Sequence, residues 1–216
     1  MNLAQILLDG QRTLADGSGR IYGVVVGIVT DNKDPDELGR VKVQFPWLSS
    51  EAESTWARIA TLMAGNDRGS FYLPEVDDEV LVAFEHGDLR YPYVVGALWN
   101  GQDKPPETNA DGENNKRLIK SRSGMTILLD DSSGSEKIEI ADKEGENTLI
   151  VDMANKKITI TSNGDIDITA SQGTIKLDAQ KIEIKSSADT KIEAGAGMDV
   201  KASATMNIKG ATVNIN

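Results

Sequence analysis

His86 is the only histidine among 216 residues, and it lies in FEHGD between the carboxylates Glu85 and Asp88. An imidazole flanked by acids is raw material for a metal site or a general base. Either use needs a second nitrogen or sulfur ligand, or a nucleophile, and the chain has no other histidine and no cysteine. The run therefore reads as the turn after a strand, with Gly87 and Asp88 suited to turn geometry. The neighbouring acids Asp77/Asp78 and Asp130/Asp131 have the residue types of glycoside cleavage. Consecutive residues of a strand point to opposite faces, so neither pair converges on one bond, and solvated turns account for both. SRSG at Ser121–Gly124 lacks the GxSxG spacing of a nucleophile elbow, and RTLADGSGR at Arg12–Arg20 lacks that of a phosphate loop. On residue chemistry the chain is predicted to be a non-enzyme with no catalytic residue, metal site or cofactor.

The elements that would have to position any site change character along the chain. Every Trp, Tyr and Phe lies before residue 100, and no proline follows Pro106. The stretch 101–117, beginning GQDKPPETNADGENNK, is polar, carries Pro and Gly and lacks periodicity, so it predicts a linker. Formal charge is −11; in the first half Arg20, Lys33, Arg40, Lys42, Arg58, Arg68 and Arg90 face more than a dozen acids, which leaves no positive field for nucleic acid. The start MNLAQILLDG has no basic n-region and too short an apolar run for a signal peptide, and no segment approaches a membrane span. The expectation is assembly in the cytoplasm, without export by the general secretory route.

An all-β architecture follows from the pattern. Residues 21–100 hold five runs of alternating β-branched and polar residues, Ile21–Val29, Arg40–Phe45, Trp56–Met63, Glu79–Glu85 and Tyr93–Leu98, separated by Gly, Asp, Asn or Pro. Five strands in some 80 residues suit an OB-type barrel. Residues 1–20, with LAQILLDGQRTL, predict one short amphipathic helix.

Residues 118–216 differ. From Ile158 the apolar residues come in i, i+2 pairs: Ile158/Ile160, Ile166/Ile168, Ile175/Leu177, Ile182/Ile184, a weaker Thr190/Ile192, then Met198/Val200, Met206/Ile208 and Val213/Ile215. First members fall 8, 9, 7, 8, 8, 8 and 7 residues apart by their numbering. Repeats of this kind specify solenoids or fibres. Eight extended residues span at most about 28 Å, one wall of a narrow prism and too little to wrap a core. Three chains, each supplying one wall per level, would bring the apolar pairs onto a threefold axis and close every strand edge. An intertwined homotrimeric β-helix is the expectation, with the breaks SNG, SQG, AGAG and KGA at its corners.

Three segments resemble the spike proteins of contractile injection systems: GIVTDNKDPDELGRVKVQFPW, LPEVDDEVLVAFEHGDLRYPYVVGALWN and RSGMTILLDDSSGSEKIEI. This group includes phage baseplate protein V and the VgrG spikes of type VI secretion. The resemblance implies an OB barrel leading through a linker into a trimeric β-helix that transmits force to puncture a target envelope. Asp77 stands where the family commonly has glycine. VgrG proteins carry a large hub region before the barrel; only about 20 residues precede it here, so the resemblance implies a separate hub protein. It also implies a small PAAR-type tip protein, seated on Thr212, Val213, Asn214, Ile215 and Asn216. The target membrane would be contacted mechanically. A carbohydrate-binding or carbohydrate-degrading phage tail β-helix is the alternative, though such proteins line their grooves with aromatics and this repeat has none.

Overall fold

A computed structural model describes residues 20–48 and 53–214. The chain divides into two compact units, Met1–Asn163 and Gly164–Asn216. The helix expected within residues 1–20 lies, except for Arg20, outside the described residues, as do Ile215 and Asn216.

The first unit opens with a barrel. Its strands are β1 (Val24–Asp31), β2 (Lys42–Gln44), β3 (Arg58–Ile59), a small hairpin of β4 (Ala64–Gly65) and β5 (Arg68–Gly69), β6 (Glu79–Phe84) and β7 (Pro92–Ala97). The sheet order is β2-β1-β6-β7-β3, antiparallel throughout except for the parallel pair β3 and β7. The two ends of this sheet meet. Val41 N–H donates to the Ala57 carbonyl at 3.1 Å and Ala57 N–H donates to the Val41 carbonyl at 2.7 Å. A five-stranded barrel of OB type results. Alternation fills it: in β6, Val80, Val82 and Phe84 point inward against Val29, Val41, Val43, Phe45 and Val94. Gly27 is required where β1 crosses β2, because a Cβ there would lie 2.2 Å from Val43 Cγ1.

The run expected to be extended from Trp56 to Met63 is paired only at Arg58–Ile59. Beyond it the backbone folds into the β4–β5 hairpin, whose turn residue Asp67 has φ 52°. Side-chain alternation in the sequence did not register that hairpin, since each of its strands is only two residues long.

After residues 101–115, which contain no strand, the chain forms a second sheet. Strands β8 (Lys116–Lys120), β9 (Thr126–Asp130), β10 (Lys137–Ala141), β11 (Thr148–Asp152) and β12 (Lys157–Thr161) make an antiparallel meander in the order β12-β11-β10-β9-β8. Three of its connections are tied by carboxylates: Asp130 accepts from Ser132 N–H at 3.0 Å, Asp142 from Glu146 N–H at 2.9 Å, and Asp152 from Asn155 N–H at 2.8 Å. Hydrogen bonds from Ser132, Asn147 and Asn155 respectively hold these three acids below the ordinary carboxylate range.

The second unit has another character. None of the described residues 164–214 joins a backbone ladder, yet the backbone bends at 163–164, 171–173, 180, 187–188, 195–196, 203–204 and 211–212. Bends therefore recur about every eight residues, at the polar breaks between apolar pairs.

Candidate functional site

The acids and the histidine singled out for chemistry are used by the backbone. His86 sits in a single 3₁₀ turn, Glu85–Gly87, with φ 48° and ψ 29°; the turn's Gly87 carbonyl accepts from Ile21 N–H at 2.8 Å. Asp77 has φ 76°, a left-handed conformation that glycine adopts freely and Asp tolerates. That is the physical reason a glycine suits this position. Its neighbour Asp78 accepts from Glu75 N–H at 2.8 Å, which turns the chain into β6. Asp130 caps its own connection, while Asp131 pairs with Arg117 at 2.9 Å. Among the described residues no three His, Cys, Asp or Glu are grouped to hold a metal ion, and no helix is long and apolar enough to cross a membrane.

A tightly organised polar cluster of the barrel is in the β1–β2 connection. Asp34 receives Arg40 Nε at 2.8 Å and Nη2 at 2.7 Å, and also the N–H groups of Asp36 at 3.0 Å and Leu38 at 3.1 Å. The Arg40 guanidinium holds the Asp34 carboxyl far below its usual range. The same guanidinium lies 5.9 Å from the Trp56 ring centroid, and Lys42 Nζ lies 5.5 Å from it. This arrangement stiffens a loop and leaves both cations occupied. Beside it, a groove of about 710 Å³ runs between Leu38, Arg58, Met63 and Phe71, with Leu38, Leu62, Phe71 and Tyr72 exposed.

The surfaces most in need of a partner lie farther along the chain. In the meander the register places Ile119, Ile127, Ile140, Leu149 and Ile160 in one cross-strand row, and Arg117, Leu129, Ile138, Val151 and Ile158 in a second row on the same face. Nine of these ten side chains are apolar, and most are exposed. The opposite face is mixed: Lys116, Asp130, Lys137, Asp152 and Lys157 stand in register, alternating in sign across the five strands, beside a half-buried row of Leu118, Leu128, Glu139, Ile150 and Thr159. Opposite charges placed across strands attract, and the nearby lysines help to depress Asp130 and Asp152. A water-soluble sheet normally exposes its charged face and covers its apolar one. Here the apolar face is open.

The second unit repeats the same asymmetry. Lys176 pairs with Asp178 at 3.2 Å, Lys181 with Glu183 at 2.5 Å and Lys191 with Glu193 at 2.6 Å. Each ion pair joins residues i and i+2, so the residue between them (Leu177, Ile182, Ile192) points the other way. First members of the apolar pairs, Ile166, Ile175, Ile182, Met198, Met206 and Val213, are 45–53% exposed. Second members, Ile168, Leu177, Ile184, Ile192, Val200 and Ile208, are 65–74% exposed. The described levels thus share one environment, and each leaves two large apolar side chains uncovered except Thr190/Ile192, which leaves one. Contiguous apolar exposure on this scale marks an interaction surface. Ile158 and Ile160, the first pair of the series, belong to β12 and so to the meander.

The sequence reading did not pick out the meander face upstream of Ile158. Its signal was partly present: KIEIA alternates with period two, while TILLD and TLIVD are short unbroken apolar runs whose facing the sequence leaves open. The spacing between them is eleven residues rather than eight, so they fall outside the eight-residue series that begins at Ile158.

Residues 25–99 match the family described as the type VI secretion system/phage-baseplate injector OB domain. The chain is 30% identical over 146 residues to the type VI secretion system spike protein VgrG1a of Pseudomonas aeruginosa, covering 62% of this chain and 23% of the relative. It is 30% identical over 141 residues to spike protein VgrG3 of Vibrio cholerae, covering 61% and 14%. To VgrG1c of P. aeruginosa it is 33% identical over 128 residues, covering 54% and 18%. The matches thus span less than a quarter of the length of these relatives. In sequence the chain is VgrG-like, and the match to the injector OB domain falls on the barrel.

Proposed function

We propose that this VgrG-like chain is the structural central spike of a contractile injection machine, a type VI secretion system or a phage-tail-like particle. Three copies would build residues 118–216 into a β-helical rod, the self-paired meander strands at its start and the chains intertwining beyond it, with Ile158 to Ile215 meeting on the threefold axis. The carrying observation is the union, in one chain, of an injector-type OB domain with a repeat that exposes two apolar residues per level. Such a column is stable only when covered, and a threefold arrangement covers every level in the same way. Burying one Ile contributes about 1.5–3 kcal/mol, so several levels from three chains make a stiff rod. The work of this protein is then mechanical: it transmits contraction force to the target envelope.

The proposal includes a separate hub protein docked on the barrel and a small tip protein at Thr212, Val213, Asn214, Ile215 and Asn216. Exposed Leu38, Met63, Phe71 and Tyr72 lining the barrel groove support hub docking, because aromatic and aliphatic anchors beside a groove carry binding energy. Tip docking is supported by Val213, which is left as open as the first members above it. The assembly would be built in the cytoplasm.

Light scattering and electron microscopy of the purified chain test the reading together. The expected result is a heat-resistant trimer bearing a rod about 40 Å long, from eight levels at about 4.8 Å each. A monomer at micromolar concentration overturns it.

A further inference from the structure

We propose that Trp99 and the loop that leads from the barrel to β8 form a binding site for a neutral hexopyranose unit of a glycan. This goes beyond the mechanical role above and does not depend on the trimer.

A cavity of about 430 Å³ has Trp99 on one side and residues of the loop on the other, a size that suits a small ligand. Trp99 is 69% exposed. Among the described residues its ring stacks on nothing and its indole N–H has no partner. The chain's two other tryptophans are engaged: Trp47 donates its Nε1–H to the Val26 carbonyl at 3.1 Å, and Trp56 lies against Arg40 and Lys42. An uncovered indole offers a broad apolar face with a donor at its edge.

The facing wall is a loop already held in shape. Glu107 accepts from Lys116 Nζ at 3.0 Å and from Thr108 N–H at 2.9 Å, and Asn109 Oδ1 accepts from Asn114 N–H at 2.6 Å. Asn109 and Asn114 adopt left-handed φ values of 49° and 52°, which Asn tolerates. These bonds leave the Asn109 Nδ2 donor and the side-chain amides of Asn114 and Asn115 without partners among the described residues, and all three residues line the cavity. An amide presents a donor and an acceptor side by side, as vicinal sugar hydroxyls do. The charges argue for a neutral ligand. Lys116 is paired with Glu107, so an anion finds no free cation, and no three acids are grouped for a metal. A pyranose fits both walls: its C–H face packs on the indole while its hydroxyls turn to the amides.

The test is calorimetric titration of the full-length chain with chitotriose and with maltotriose, which separate an N-acetylated amino-sugar polymer from a plain glucan as the source of the unit. Saturable binding of at least one is expected. Trp99→Ala should weaken it about tenfold or more, and Trp99→Phe, which keeps an aromatic face but loses the N–H, should fall between. Asn109→Asp keeps the acceptor for Asn114 N–H and removes the amide donor, so it should weaken binding about threefold. Trp47→Phe should leave binding unchanged. Thermal melts establish that Trp99→Ala keeps its barrel; if it does not, Trp99→Phe decides. Failure of both sugars to bind, or wild-type affinity in the Trp99 variants, overturns the site. Tighter binding of choline than of either sugar also overturns it, because an organic cation would then be the occupant of the indole. Sugar binding by a chain that proves monomeric would refute only the spike reading, and a trimer that binds no sugar would refute only this site.

Discussion

Truncating Ile184 and Ile175 to alanine should weaken the assembly in proportion to how much each side chain leaves uncovered in the single chain. Ile184 is 74% exposed and Ile175 is 52% exposed. Full burial of an Ile side chain is worth about 1.5–3 kcal/mol, so assembly has about 1.1–2.2 kcal/mol per chain to gain at Ile184 and about 0.8–1.6 at Ile175. All three copies are altered at once. Ile184→Ala should therefore cost the trimer about 3–7 kcal/mol and Ile175→Ala about 2–5, before the cavity left on the axis adds to both. The single chain should hardly notice, since neither residue belongs to its core. The assay is guanidinium dissociation of the trimer, monitored by light scattering, with barrel fluorescence from Trp47, Trp56 and Trp99 as the internal control. Dissociation midpoints should fall in the order wild type, Ile175→Ala, Ile184→Ala, while the barrel transition stays fixed. Glu183→Ala, on the opposite face, should leave the midpoint nearly unchanged. Equal damage from Glu183→Ala, or a shift confined to the barrel transition, would refute the assigned facing.

Gly27→Val should destabilise the barrel by about 1–3 kcal/mol through overpacking against Val43 and Phe45. Gly96→Ala, where an added Cβ meets nothing within 4 Å, is the matched control, and thermal melts compare the two. Asp77→Gly should be neutral or mildly stabilising because φ there is 76°, whereas Asp77→Val should lose about 1–2 kcal/mol; a more stable Val variant would show that the turn has another conformation in solution. Acid should loosen the first unit. Arg40 holds Asp34 far below its ordinary range and Arg90 brings Asp88 down to about 2, while local hydrogen bonds lower Asp130, Asp142 and Asp152. A carboxyl whose pKa falls on folding contributes its stability above the unfolded value, about 3.9, and loses it as pH drops through the folded value. The melting temperature should therefore decline from about pH 4 toward pH 2, less steeply in Asp34→Asn; a flat profile over that window would contradict the assignment.

Much of this protein is written in its linear pattern. Val80 to Phe84 is a short β-branched-rich apolar run between Glu79 and Glu85, which marks a strand, while the structure decides that Val80, Val82 and Phe84 are its inward side. The eight-residue recurrence of Ile, Leu, Met and Val likewise marks a repeat whatever its three-dimensional course, because period and facing are one-dimensional properties. Several things were settled only by tertiary structure. The barrel closes through Val41 and Ala57, a backbone exchange that no side-chain pattern encodes. Gly27 and Asp77 look like ordinary residues until a close approach to Val43 and a left-handed φ explain them. The meander's apolar rows exist because antiparallel register sets Ile127 against Ile140 and Ile119, across spacings that share no period. Cross-strand neighbours are chosen by loop lengths and hydrogen-bond register acting together, and those become a surface only once the chain has folded.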